Sequence, residues 1–144
     1  MEPIFPQAND ISKIIQIVKM DENELNDNTL CDSLGFSAQR QAHYYINASK
    51  YLDILDGNRK FTEFGKKLKS SENKQLQYRL IQKIISKPVF GDVFLDQYFN
   101  NKQYDKDEIA QLILFYTDIE KVSVADRRAT TVLSWLKWIE SFKN

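Results

Sequence analysis

Gln39, Arg40, His43, Asn47 and Lys50 recur at spacings of three and four, so a helix would gather them on one face. That face holds hydrogen-bond donors and amides, and no carboxylate before Asp53. Arginine makes paired hydrogen bonds to guanine, and glutamine or asparagine to adenine, in the DNA major groove. Gln39, Arg40, His43 and Asn47 are therefore expected at base edges. Tyr44, Lys50, Arg59, Lys60 and Lys66 are expected on phosphates, with Ser37 at the start of the helix. An ordinary solvated helix face rich in Gln and Asn is the plain alternative.

Other chemistry finds little support. The one histidine, His43, has no cysteine or carboxylate at ligand spacing in the sequence, and no metal is expected. Four glycines are scattered singly, so no phosphate loop and no cofactor are expected. Asp92 and Asp96 share a helix face, which a solvated surface explains. Asp105, Asp107 and Glu108 suit the positive end of a helix. Glu72-Asn73-Lys74 has the acid-x-Lys form found on strands of some nucleases, but here it would start a helix behind a serine cap. The expectation is a segment without catalysis. Arg127 and Arg128, in the first turn of the last helix, oppose the helix dipole. A phosphate contact accounts for them, and so do ion pairs to Asp118 or Glu120, or a protein interface.

These residues need a frame. Asn28 can cap a short helix carrying Leu30, Cys31 and Leu34, which Gly35 ends. Ser37 can cap a second helix from Ala38 to about Tyr51. Ala38, Ala42, Tyr45, Ile46, Ser49 and Leu52 form its inner face, and Phe36 plugs the turn. That order is a helix-turn-helix. Leu52–Leu55 alternates, Asp56-Gly57-Asn58 signals a turn, and Arg59-Lys60-Phe61 returns as a second strand. Thr62 caps a further helix to Lys69. The reading is a mainly α fold with a small β-hairpin wing: a winged helix-turn-helix over residues 1–70. A four-helix C-terminal extension over 71–144 is expected to pack on it. Those four helices are expected at about 72–86, from Pro88 through Phe99, at 105–117 and at 123–142. The first helix, after a capping Asp10 or Asn9, buries Ile11, Ile14, Ile15 and Val18, and Met20–Asp27 is an acidic loop.

The chain has 144 residues and no net charge, but the charge is sorted along it. Residues 1–36 carry two basic and seven acidic side chains. Residues 37–88 carry eleven basic and four acidic ones, a balance of +7. Charge focused on one surface binds phosphate even when the total cancels. A single cysteine, Cys31, fits a reducing cytoplasm and a place in the core. No apolar run is long enough for a membrane span, and no leader resembles a signal peptide.

The runs RQAHYYINASKYLDIL (40–55), FTEFGKKL (61–68) and RRATTVLSWLKWI (127–139) resemble winged-helix modules attached to bacterial type II restriction endonucleases and related defence proteins. The resemblance covers roughly residues 8–142. It departs at Phe61-Thr62, where Leu-Thr is usual, and at Asp53, where glycine is common. It implies a non-catalytic module binding double-stranded DNA, working beside a nuclease domain or as a small regulator. A protein-interaction or dimerisation module on the same scaffold, pairing with a partner or a second copy, is the other reading.

Overall fold

The structure is a computed structural model and describes residues 4–142. Its elements are α1 (Ile11–Val18), a short 3-10 helix (Glu22–Glu24), α2 (Asp27–Leu34), α3 (Gln39–Tyr51) and α4 (Glu63–Lys69), then α5 (Asn73–Ile85), α6 (Phe90–Asn100), α7 (Lys106–Tyr116) and α8 (Val122–Glu140). The chain forms two compact units, Met1–Arg79 and Leu80–Asn144, with α5 running through the division.

The expected wing is absent, and the winged helix-turn-helix with it. Among the described residues there is no β-strand, only one isolated antiparallel bridge between Leu55 and Phe61. The reason is local. Leu52, Ile54 and Leu55 are all buried, so the run does not alternate between a core face and a solvent face. Asp53 and Arg59 both take positive φ, 61° and 59°, which breaks the extended backbone on each side of the bridge. The Asp56 carboxylate accepts from the backbone N–H groups of Asn58 and Lys60 at 2.8 and 3.0 Å. Thr62 N–H donates to Ile54 C=O at 3.0 Å. The segment is a closed loop feeding α4.

In the first unit α1 packs on α3 and α4, and α2 packs on α3. Asn26, two residues before the expected cap, accepts from Thr29 N–H and starts α2. Gly35 ends α2 at φ 73°. The connection to α3 runs over residues 35–38. Phe36 is half-buried and stacks on Tyr45, with ring centroids 5.1 Å apart. Ala38 is exposed and is the N-cap, so Ser37 does not cap α3. The α3 core face is Ala42, Tyr45, Ile46, Ala48, Ser49 and Tyr51. Cys31 is half-buried rather than in the core, and so is Ile15.

In the second unit α6 and α7 both pack on α8. Trp135 is fully buried and stacks on Phe90 with centroids 4.9 Å apart. Val89, not Pro88, precedes α6, at φ 69°. Lys121 is the N-cap of α8, which places Arg127 and Arg128 in its second turn, not its first.

Candidate nucleic-acid interface

The outward face of α3 divides into two stripes. Arg40, Tyr44 and Asn47 lie at i, i+4 and i+7, with Lys50 three residues further on. Arg40 is exposed, and Tyr44, Asn47 and Lys50 are half-buried. None of these four side chains makes a hydrogen bond or ion pair among the described residues. Arg40 stands at the second position of the helix.

The other stripe is held by the chain itself. Gln39 Nε2 donates to Asn28 Oδ1 at 3.2 Å. His43 Nε2 lies 2.7 Å from Asp27 Oδ2. Asp27 also pairs with Arg59, whose Nη2 is 2.9 Å from Oδ1. The His43 hydrogen bond is the largest effect on the Asp27 carboxyl and, together with the Arg59 hydrogen bond and charge, holds it below its ordinary range against burial, the second largest, which raises it. Asp27 is thus an anion, and His43 Nε2–H is the donor. Arg59 Nη1 donates to Leu25 C=O at 2.7 Å.

The remaining expected contacts are spread out. Ser37 N–H and Oγ turn to Gln41 Oε1, at 3.0 and 3.3 Å. Lys60 Nζ is 3.8 Å from Glu22 Oε2. Lys66 Nζ is 3.7 Å from Glu63 Oε1, one turn back along α4, and both are exposed. Lys69, the last residue of α4 and not among the expected contacts, donates to Val18 C=O at 3.2 Å and to Met20 C=O, and sits over the Phe61 ring. Arg127 and Arg128 belong to the second unit. Arg127 is exposed and makes no ion pair among the described residues, while Arg128 is half-buried.

The sequence reading missed Asp27 as a partner of His43. Sixteen residues separate them, and only the α2–α3 packing brings them together. The acidic run ending at Asp27 was the available signal, since acids placed before a basic segment are natural ion-pair partners. Among the described residues no group of three or more His, Cys, Asp or Glu side chains could hold a metal ion. No described helix is long and apolar enough to cross a membrane.

No curated protein and no solved structure matches the chain. One family does, over residues 13–144, almost the whole length. The chain belongs to DUF7226, a family described as a domain of unknown function.

Proposed function

We propose that this protein binds double-stranded DNA without catalysing a reaction on it, through the outward stripe of α3. The observation that carries the reading is that Arg40, Tyr44, Asn47 and Lys50 make no hydrogen bond or ion pair among the described residues while their neighbours Gln39 and His43 are paired. A guanidinium, an amide, a phenol and an ammonium on one helical stripe match what the major groove and its flanking phosphates offer. The tight α2–α3 connection, closed by Gly35 and packed by Phe36, presents that helix from its N-terminal end. Arg40 and Asn47 reach bases, and Tyr44 and Lys50 reach phosphates. A cytoplasmic setting goes with this reading, since Cys31 is a free thiol.

Fluorescence anisotropy with a labelled duplex tests it. One cationic phosphate contact, that of Lys50, gives a log–log salt slope of about −1. Arg40→Ala is expected to cost about 1–3 kcal/mol on a site selected from a random library, and little on scrambled DNA. Lys50→Ala is expected to weaken both duplexes alike. Absence of binding to any duplex at low salt would overturn the proposal.

A further inference from the structure

The acidic stretch from Asp21 to Asp27 lies across the cations that stand beside the α3 stripe. Leu25, 2% exposed, anchors it in the core. From that anchor Glu22 accepts Phe61 N–H at 2.9 Å through Oε1 and faces Lys60 through Oε2. The Leu25 carbonyl and the Asp27 carboxylate together hold the Arg59 guanidinium, and the second Asp27 oxygen holds His43. Each acid thus occupies a group that a phosphate would occupy on a bound duplex: a guanidinium, an ammonium, an imidazole N–H. Arg59 is drawn into this arrangement from a positive-φ backbone position, which a non-glycine residue adopts only when its surroundings hold it there. The paired groups are also only partly covered, with 28% of the Arg59 side chain, 50% of His43 and 62% of Lys60 exposed. The His43 and Lys60 pairs, so open to water, are weak and exchangeable, whereas Arg59–Asp27 is the more covered of the three.

We infer that Asp27 and Glu22 form an autoinhibitory acidic strap, which mimics DNA phosphates and withholds Arg59, Lys60 and His43 from the duplex. The inference rests on the α3 reading above and adds the regulation of that surface. Opening the strap needs only side-chain rotation, because Leu25 stays buried. The cations it releases flank α3 and add phosphate contacts to those of Lys50. The unopened protein binds DNA weakly and with a shallow salt slope. Whatever neutralises or displaces the strap acids tightens binding and steepens the slope.

The test uses the full chain and a labelled random-sequence duplex at two salt concentrations, with helix content checked by circular dichroism. Asp27→Asn and Glu22→Gln are each expected to tighten binding by roughly three- to tenfold, and the pair to steepen the log–log slope by about two. Arg59→Gln placed on Asp27→Asn is expected to cancel the gain, since the released guanidinium carries it. Glu22→Gln acts through Lys60, so it decides the matter alone if Asp27→Asn unsettles the start of α2. Folded strap variants that bind like the parent, while Arg40→Ala still weakens binding, would overturn the strap and leave the α3 surface standing. Failure of both the parent and the strap variants to bind any duplex would overturn the two together.

Discussion

Among the described residues, the large apolar side chains exposed in Met1–Arg79 are Ile4 and Tyr78. In Leu80–Asn144 they are Leu95, Tyr98, Phe99, Phe115, Tyr116, Val122 and Phe142. The first unit finishes its surface with charge: Asp27 pairs with Arg59 and His43, Glu22 pairs with Lys60, and Arg40 and Lys50 make no ion pair among the described residues. The second finishes its surface with rings, such as Phe115 against Tyr116 and Tyr98 against Phe99. Similar helical packing therefore supports two different kinds of surface. Affinity for a polyanion can come only from the first kind, because it depends on cations not yet satisfied within the chain.

The largest expected effects come from one glycine in each unit. A Cβ on Gly65 would lie 2.2 Å from Ile54 O, and one on Gly91 would lie 2.2 Å from Ile85 O. In an exposed helix alanine gains up to about 1 kcal/mol over glycine. Here the clash is with backbone, which cannot rotate away, so the clash dominates. Gly65→Ala and Gly91→Ala are each expected to cost about 2–3 kcal/mol, a fall of roughly 10 °C or more in Tm. Both tryptophans, Trp135 and Trp138, lie in the second unit, so their fluorescence reads that unit. Gly91→Ala should shift this signal directly. If Gly65→Ala shifts it as far, the units unfold as one and the contrast between them is only of surface.

How much of this was legible beforehand depended on the pattern in each stretch. Helix α1 was clear because Ile11, Ile14 and Val18 form a stripe among polar residues, and all three are buried. Thr62 was clear as a cap, and it accepts from Gly65 N–H at 3.0 Å. The wing misled because a turn signal at Asp56-Gly57-Asn58 fits a closed loop as well as a hairpin. Only the positive φ of Asp53 and Arg59 separates the two, and neither residue type announces it. In α6 and α7 the apolar residues run almost all round the helix, so periodicity does not choose a face. Tyr98, Phe99 and Tyr116 are 59%, 71% and 55% exposed. At the candidate interface Arg40, Tyr44, Asn47 and Lys50 were legible as a helix face. Their separation from Gln39 and His43 was not, since it depends on Asn28 and Asp27 across the turn.

An intermediate effect separates the units by pH. Asp27 is lowered by His43 and Arg59, whereas Asp96 is lowered by hydrogen bonds from Tyr104 and Asn100. A carboxyl lowered in the folded state adds stability above its ordinary value of 3.8, lost as pH falls through the folded value. Both units should therefore weaken in acid, and Asp27→Asn or Asp96→Asn should each remove part of that dependence. Tyr104 supplies a second, alkaline edge. Its hydroxyl, donating to Asp96, is pushed up to about 12 from 10.0. That stability is complete below pH 10 and is lost as pH rises towards 12. Tyr104→Phe should remove the alkaline edge, read by Trp fluorescence against pH. Added salt should blunt the Asp27 contribution more than the Asp96 one, because only Asp27 is paired mainly with cationic side chains.

The smallest expected effects are at the exposed rings. Phe115 is 78% exposed and Phe99 is 71% exposed, so the folded chain removes little of either from water. Replacing them with serine takes away no core contact, and surface changes of this kind usually stay within about 0.5 kcal/mol. Phe115→Ser and Phe99→Ser should therefore melt within a few degrees of the parent chain. Uptake of a hydrophobic dye should fall, because the rings form much of the exposed apolar surface of their unit. Duplex affinity and its salt slope should not move, since neither ring lies in the unit that carries the α3 stripe. A loss of DNA binding in Phe115→Ser would break the division drawn between the two surfaces. It would place a base-stacking ring in the second unit and make the exposed Arg127 the cation to test beside it.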